Sequence, residues 1–253
     1  MSSTAAKASP VHAEITAVGE SAVRVEGRTG CSERDWLLAH QLAAQLHAGE
    51  SAIYTGALPT YESVLVEFDA VATDIDSVIA DLTAALPTLD LDEPLLADPQ
   101  HFHVPVLYGA PGRSQEHEPG PDMTRVAELT GLSVEELIAR HSEPRYVVRC
   151  LGAPGGSPML DGPQLPVTVP RLPSPRPSVP QGAVSLAGRQ ATITPATAPG
   201  GWCVIGQTPL RVLDLDSDSL VPYRPGDTLE FYPIGPHEFR ELEGQSMVSG
   251  VRS

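Results

Sequence analysis

Lysine is almost missing from this 253-residue chain: 15 of its 16 basic residues are arginine, and Lys7 is the single exception. A phosphate-cradling loop that ends in lysine, an internal Schiff base and a lysine general base are therefore excluded. Positive charge is scarce altogether. Sixteen basic residues face 32 acidic ones, a formal charge of −16, and residues 1–100 hold 16 of the acids but only 4 bases. Nucleic acid and anionic membrane surfaces need clustered Arg and Lys, so neither is expected as a partner. Cysteine is sparse too. Cys31, Cys150 and Cys203 lie far apart with no CxxC or Cys/His pair, which reads as reduced thiols. No apolar run approaches the ~18 residues of a membrane helix, and the first 14 residues lack an apolar leader core, so a cytoplasmic location is expected.

Metal ligands are short as well. His101 and His103 stand two apart, on one face if the segment is a strand, but no acidic or cysteine partner follows at ligand spacing. The expectation is no metal.

The residues that are present fall into two patterns. Ile15–Glu26 alternates apolar and polar positions around a Gly-Glu turn, as two short strands do. Ser32 is the candidate N-cap of a helix carrying Trp36, Leu37, Ala39, His40, Ala43, Leu46 and His47 at helical spacing and closed by Gly49. Tyr61–Phe68 alternates as a strand, and Ile75–Leu86 is a second helix stopped by Pro87. Residues 87–100, rich in Pro and Asp and without a period, form the candidate linker.

Beyond it, FHVPVLYG reads as a strand, and two helices follow. Asp122 is the candidate N-cap of the first, which ends at Gly131. Ser133 with Glu136 makes a capping box for the second. Nine prolines in residues 152–182 exclude long helices there. The runs VSLAG, ATITP, WCVIG, LRVLDL and DTLEFYPI, divided by Gly/Pro turns, then indicate a barrel or sandwich. The fold class expected is α+β. Residues 1–12 form a disordered tail, 13–90 an α/β domain, 91–100 the linker, 101–235 the barrel, and 236–253 a polar, frayed tail.

The ordered series VPVLYG, GPDMTRVAELTGLSVEELIARHSEPRY, PRLPSPRPSVPQGAVSLAG, APGGWCVIGQTPL and RPGDTLEFYPI resembles the family of KipI and the B-type subunit of the bacterial ATP-dependent 5-oxoprolinase. The family is also called allophanate hydrolase subunit 1, and it is similar to part of the carboxyltransferase region of urea carboxylase (subdomains C and D). The likeness covers about residues 13–235. It implies a small α/β domain followed by a cyclophilin-like barrel with an inserted helical pair. It also implies a larger barrel-related partner subunit (type C) and a third subunit (type A). Such an assembly opens a small carboxylate-bearing cyclic amide, 5-oxoproline, to glutamate, using ATP that this chain does not itself bind.

Departures accompany the likeness. The family's G-F-x-P-G-F-x-Y-L loop is here Gly152-Ala153-Pro154-Gly155-Gly156-Ser157-Pro158-Met159-Leu160, without its two Phe and its Tyr. Two further readings therefore stand beside the enzyme subunit. One is a stand-alone barrel acting on another small molecule, such as a cyclase of specialised metabolism; the other is a KipI-like inhibitor of a sensor histidine kinase.

Candidate site residues follow from chemistry within these motifs. His141 ends a helix, where the dipole favours its protonated form; it is either a capping histidine or a catalytic group. Tyr108 is either a donor to a substrate carbonyl or a plug of the barrel. Arg171 and Arg176, in a proline-stiffened loop, suit bidentate carboxylate binding or a structural role. Gln190 and Thr192 on one strand offer neutral hydrogen bonds to an amide. Gly200 and Gly201 serve a turn, and Trp202 is expected in the core.

Overall fold

The computed structural model describes residues 12–49, 51–110, 118–152 and 155–250. The chain divides into two compact units, Met1–Ala97 and Asp98–Ser253.

The first unit runs β1 (Ala13–Val18), β2 (Ala22–Gly27), α1 (Ser32–Ala48), β3 (Tyr54–Pro59), β4 (Ser63–Phe68) and α2 (Ile75–Ala85), then a 3-10 turn at Leu86–Thr88. Its sheet is antiparallel in the order β1-β2-β4-β3. Register pairs Val23 with Val66 and Val25 with Val64, and Ala57 falls beside Val66. These residues share one buried face, because cross-strand partners point the same way. Helix α1 lies against β2, β3 and β4 and buries Leu38 and Leu42 completely, each worth about 1.5–3 kcal/mol.

Three local expectations change here. Ser32 is inside the helix, and the N-cap is Cys31, whose side chain makes no capping bond. Asp35 instead folds back to accept from the Thr29 amide (2.9 Å) and hydroxyl (2.7 Å). That turn requires Gly27, where a Cβ would stand 2.5 Å from Asp35 Oδ1. Strand β3 shows no strand pattern in the sequence because Gly56 and Pro59 break it; it forms as an edge strand, where a missing N–H costs little. The linker's first part is fastened to α1: Leu91 is buried, Gln41 donates to the Asp90 carbonyl (2.6 Å), and Arg34 pairs with Asp92. A single apolar anchor produces no period to read.

The second unit contains β5 (His101–Tyr108), α3 (Met123–Thr130), α4 (Val134–Ser142), β6 (Arg145–Gly152), β7 (Ser157–Asp161), β8 (Arg176–Val179), β9 (Ala183–Ala187), β10 (Gln190–Ile193), β11 (Ala198–Gly200), β12 (Cys203–Gln207), β13 (Thr228–Pro233) and α5 (Pro236–Leu242). Seven strands close a barrel in the order β10-β7-β6-β13-β5-β12-β9, and β8 and β11 form a separate ribbon. The fold class is α+β, as expected. β5 and β13 run parallel, while the other paired strands are antiparallel. Phe102, Val104 and Val106 from β5 pack with Tyr146, Leu160, Leu186, Ile205, Leu229 and Phe231 in the core. All five positions of β9 are buried, as a strand covered on both faces requires. Val179 of β8 packs on Ala183 and Val204.

Helix α3 ends at Gly131, whose φ of 69° is the left-handed conformation of a C-terminal glycine cap. The Ser133/Glu136 capping box of α4 is present in both directions, at 2.8 and 3.1 Å. LRVLDL is not a strand. Pro209 precedes it and an Asp-rich turn follows, so Val212 fills the core from a loop with one bridge, Arg211 to Ser246. Trp202 is half-buried and lies outside the core. The supposed frayed tail is also ordered through residue 250. It forms α5, buries Met247, exchanges backbone bonds with Arg211 and donates from Gly250 to the His101 carbonyl. The predicted disordered tail at 1–12 falls, except for His12, outside the described residues, as do Ala153 and Pro154 of the glycine loop.

Candidate functional site

Three motif segments separated in sequence meet around Asp122. Two backbones approach without side chains between them: a Cβ on Gly109 would stand 2.2 Å from the Gly120 carbonyl oxygen, and one on Gly120 2.2 Å from that of Ile205. The close approach delivers Asp122 to β12. Asp122 holds the N-cap position of α3, yet its carboxylate does not cap the helix. Its oxygens accept from Arg176 Nη1 (2.7 Å) and Nη2 (2.8 Å) and from the Val204 amide (2.7 Å), and its own amide donates to Val204 O (3.0 Å). The two-pronged pair raises the Arg176 pKa, chiefly through the hydrogen bonds to Asp122. Arg176 is thus committed to holding β8 and α3 together.

Arg171 is placed differently. It is exposed, and its Nε and Nη2 lie 3.6 Å from where a Cβ on Gly201 would be. The Leu172 amide donates to Gly201 O (2.7 Å), fixing the arginine loop on the GGW turn. Next along the chain, Cys203 Sγ reaches the Pro170 carbonyl at 3.6 Å. Burial and Asp122 push that thiol's pKa up, while Arg125 and Arg176 pull against them. Arg125, on α3, keeps its Nε buried without a hydrogen-bond partner among the described residues. Two guanidinium groups therefore gather around Asp122 and Cys203, with a third over the adjoining GGW turn, a local positive excess on an acidic chain. Such a node can hold an anion bidentately through Arg171. Arg125 was not singled out from sequence, since nothing in the α3 pattern marks one arginine as turned toward β12.

The other candidates lie elsewhere. His141 and Tyr108 do meet, with Nδ1 and Oη 2.7 Å apart, and the Ser142 hydroxyl lies 3.1 Å from Oη. The pair is enclosed: His141 has no exposed surface, its ring stands 4.6 Å from that of Phe231, and its carbonyl accepts from Tyr146 (2.8 Å). Burial pushes the His141 pKa down to about 3 and that of Tyr108 well up, overturning the expected helix-end increase. Desolvation of the charged form outweighs the helix dipole. Both groups are therefore neutral and act as a brace between α4 and the barrel. Thr192 is buried too, and its hydroxyl donates to Pro158 O (2.9 Å), so it is not available to a substrate amide. Gln190, half-buried, pairs with Asp161 beside a small cavity of about 210 Å³ bordered by Leu165 and Arg189.

The two strand histidines acquire the acidic partner that sequence spacing did not show. In the parallel register His101 sits beside Thr228 and His103 beside Glu230. One ring nitrogen of each histidine and one oxygen of Glu230 lie within 4.8 Å of one another.

Comparison with known proteins agrees with this architecture. The family model "Carboxyltransferase domain, subdomain C and D" matches residues 13–223. The B-type subunit of 5-oxoprolinase from Bacillus subtilis (strain 168) is 38% identical over 143 residues, 56% of this chain and 57% of that protein. The chain thus spans little more than half the length of that relative. The crystal structure of TTHA0988 superposes with a TM-score of 0.69 at 30% identity, over 86% of this chain and 40% of that one. The urea amidolyase of Kluyveromyces lactis gives a TM-score of 0.73 at 17% identity over 95% of this chain and 16% of its own, a likeness of fold. No helix among the described residues is long and apolar enough to cross a membrane. With barrel, helical pair and motif segments all in place, the chain belongs to the carboxyltransferase subdomain C and D family.

Proposed function

We propose that the protein is the B-type component of an ATP-dependent assembly that opens a cyclic amide of the 5-oxoproline type. Its relatives at 35–38% identity, each the B-type subunit of a 5-oxoprolinase, support this reading over a stand-alone barrel or a kinase inhibitor. The observation that carries it is the arginine node: Arg176 is locked on Asp122, while Arg171 presents an exposed guanidinium above Gly201. A cyclic amide with a carboxylate needs one fixed cation to orient it, and planar guanidinium meets a carboxylate with two parallel bonds. A larger barrel-related subunit completes the site, a third subunit joins them, and ATP is held outside this chain.

The test is reconstitution. The chain is co-expressed with the larger, barrel-related subunit and with the third, and conversion of 5-oxoproline to glutamate is followed with and without ATP. The expected result is a stable complex with ATP-dependent activity, in which Arg171→Ala raises KM about 10- to 100-fold while assembly persists. A chain that joins no such subunit, or a complex inert toward cyclic amides, overturns the proposal.

A further inference from the structure

We propose that His101, His103 and Glu230 form a binding site for a divalent transition metal of the zinc class on the half-exposed face of the β5–β13 ladder. This inference is independent of the arginine node and of the reaction proposed above.

The register builds the cluster. β5 alternates, with Phe102 and Val104 turned into the core and His101 and His103 turned away from it. β13 does the same, burying Leu229 and Phe231 and presenting Thr228 and Glu230 on the histidine face. Parallel pairing sets Glu230 directly beside His103, with His101 one pleat away, and the two imidazole centroids are 4.6 Å apart.

The unused nitrogens point to an occupant. His101 Nε2 and His103 Nδ1 are both buried, and neither has a hydrogen-bond partner among the described residues. A buried polar nitrogen without a partner costs free energy unless something satisfies it. The other nitrogen of His101 is already held: Nδ1 lies 2.8 Å from Thr228 Oγ1, and that hydroxyl passes its proton toward the Gln100 carbonyl at 3.4 Å. The hydroxyl therefore accepts from Nδ1–H, which leaves a lone pair on Nε2, 3.6 Å from Glu230 Oε2. Two lone pairs facing across such a gap repel unless a cation lies between them. Bonds of about 2.1 Å to each atom would meet there at about 120°, close to the angles of a four-coordinate zinc site. A histidine whose second nitrogen is fixed by a hydrogen bond is the usual arrangement behind a metal ligand. Imidazole with carboxylate suits zinc and its neighbours better than calcium or magnesium, which prefer oxygen throughout.

A proton on Nε2 is the competing occupant. Burial, Arg145 and His103 all disfavour it, and Glu230 opposes them. Arg145, across the ladder from Glu230, also repels a metal ion, so the affinity is moderate and water fills the remaining positions.

The full chain, freed of any histidine tag and of metal, is titrated with Zn²⁺ by calorimetry and observed by NMR of its imidazole nitrogens. One Zn²⁺ per chain is expected, with the His101 and His103 resonances shifted together. Glu230→Gln and His103→Ala should each weaken binding at least about tenfold, with circular dichroism and metal-free Tm unchanged. Thr228→Val, which frees the His101 ring, should weaken it as well. Should a variant fail to fold, the wild-type NMR titration decides alone. Absence of saturable binding, unshifted His101 and His103 resonances, or binding indifferent to these folded variants overturns the proposal.

Discussion

At the scale of single residues, burial decides what a side chain can do. The His141 imidazole, fully enclosed and with its pKa pushed down to about 3, is neutral when folded but titrates normally in the unfolded chain, near 6.5. Above that value both states are neutral and pH has no leverage. As pH falls from about 6.5 toward 3, only the unfolded state takes the proton, so stability declines by up to about 1.4 kcal/mol per pH unit from this group. Thermal melts between pH 7 and 4 should therefore fall more steeply for wild type than for His141→Gln; parallel slopes would refute the assignment. Asp122 offers the opposite lesson. Asp122→Ala strands a buried Val204 amide and leaves Arg176 unpaired, and should cost about 2–4 kcal/mol in urea unfolding. The sequence marked both residues by their place at helix ends; Asp122 does stand at the N-cap, but neither the partners of its carboxylate nor the enclosure of His141 could be read there. End position is local, whereas enclosure by Phe231 or contact with β8 comes from chain far away.

Among elements, legibility followed periodicity. The helices α1 to α4 and the strands β5, β9, β12 and β13 carry patterns strong enough to place within a few residues. The Ser133 capping box was readable because both partners lie three positions apart; Ser133→Ala should lower stability by about 1 kcal/mol, measured by chemical denaturation. β3, β8 and β11 carry proline or glycine and exist only because a neighbour lends them a ladder. The junction of Gly109, Gly120 and Ile205 was equally unreadable, since two glycines in a loop reveal nothing about the backbone that will press on them. Gly120→Ala meets a carbonyl oxygen at 2.2 Å, and no rotamer can relieve a Cβ clash. A loss of about 2–3 kcal/mol is expected. The same variant should displace Asp122 from β12, detectable as changed amide shifts at Val204; unchanged shifts and stability would show that the approach is looser.

For the whole chain, the two-part organisation was visible as a change of composition, but the end of the second unit was not. Residues 236–250 are mostly polar because most of them lie on the surface, and one buried methionine, Met247, is enough to pin them. A chain ending at Gly235 removes α5 and Met247 and should unfold about 2–5 kcal/mol more easily, with Arg211 amide exchange accelerated. The two candidate sites were legible to a similar degree. Arg171 and Arg176 were found as guanidinium groups in a stiff loop, while Arg125 and Glu230 were not, because only the folded barrel sets them beside their partners.

The parallel pairing of β5 with β13 also dictates when the barrel can exist. His101 and Thr228 are 127 positions apart, and the other neighbour of β5 is β12, which begins at Cys203. On a ribosome, β5 is made early and must wait with both edges open until those late strands emerge. The first unit, whose strands pair with near neighbours in sequence, has no such delay. Long-range pairing is slow to form, and open edges invite association with other chains. Nascent chains held short of residue 228 should thus carry a folded first unit and a chaperone-dependent remainder, and the barrel should appear only once β13 has emerged.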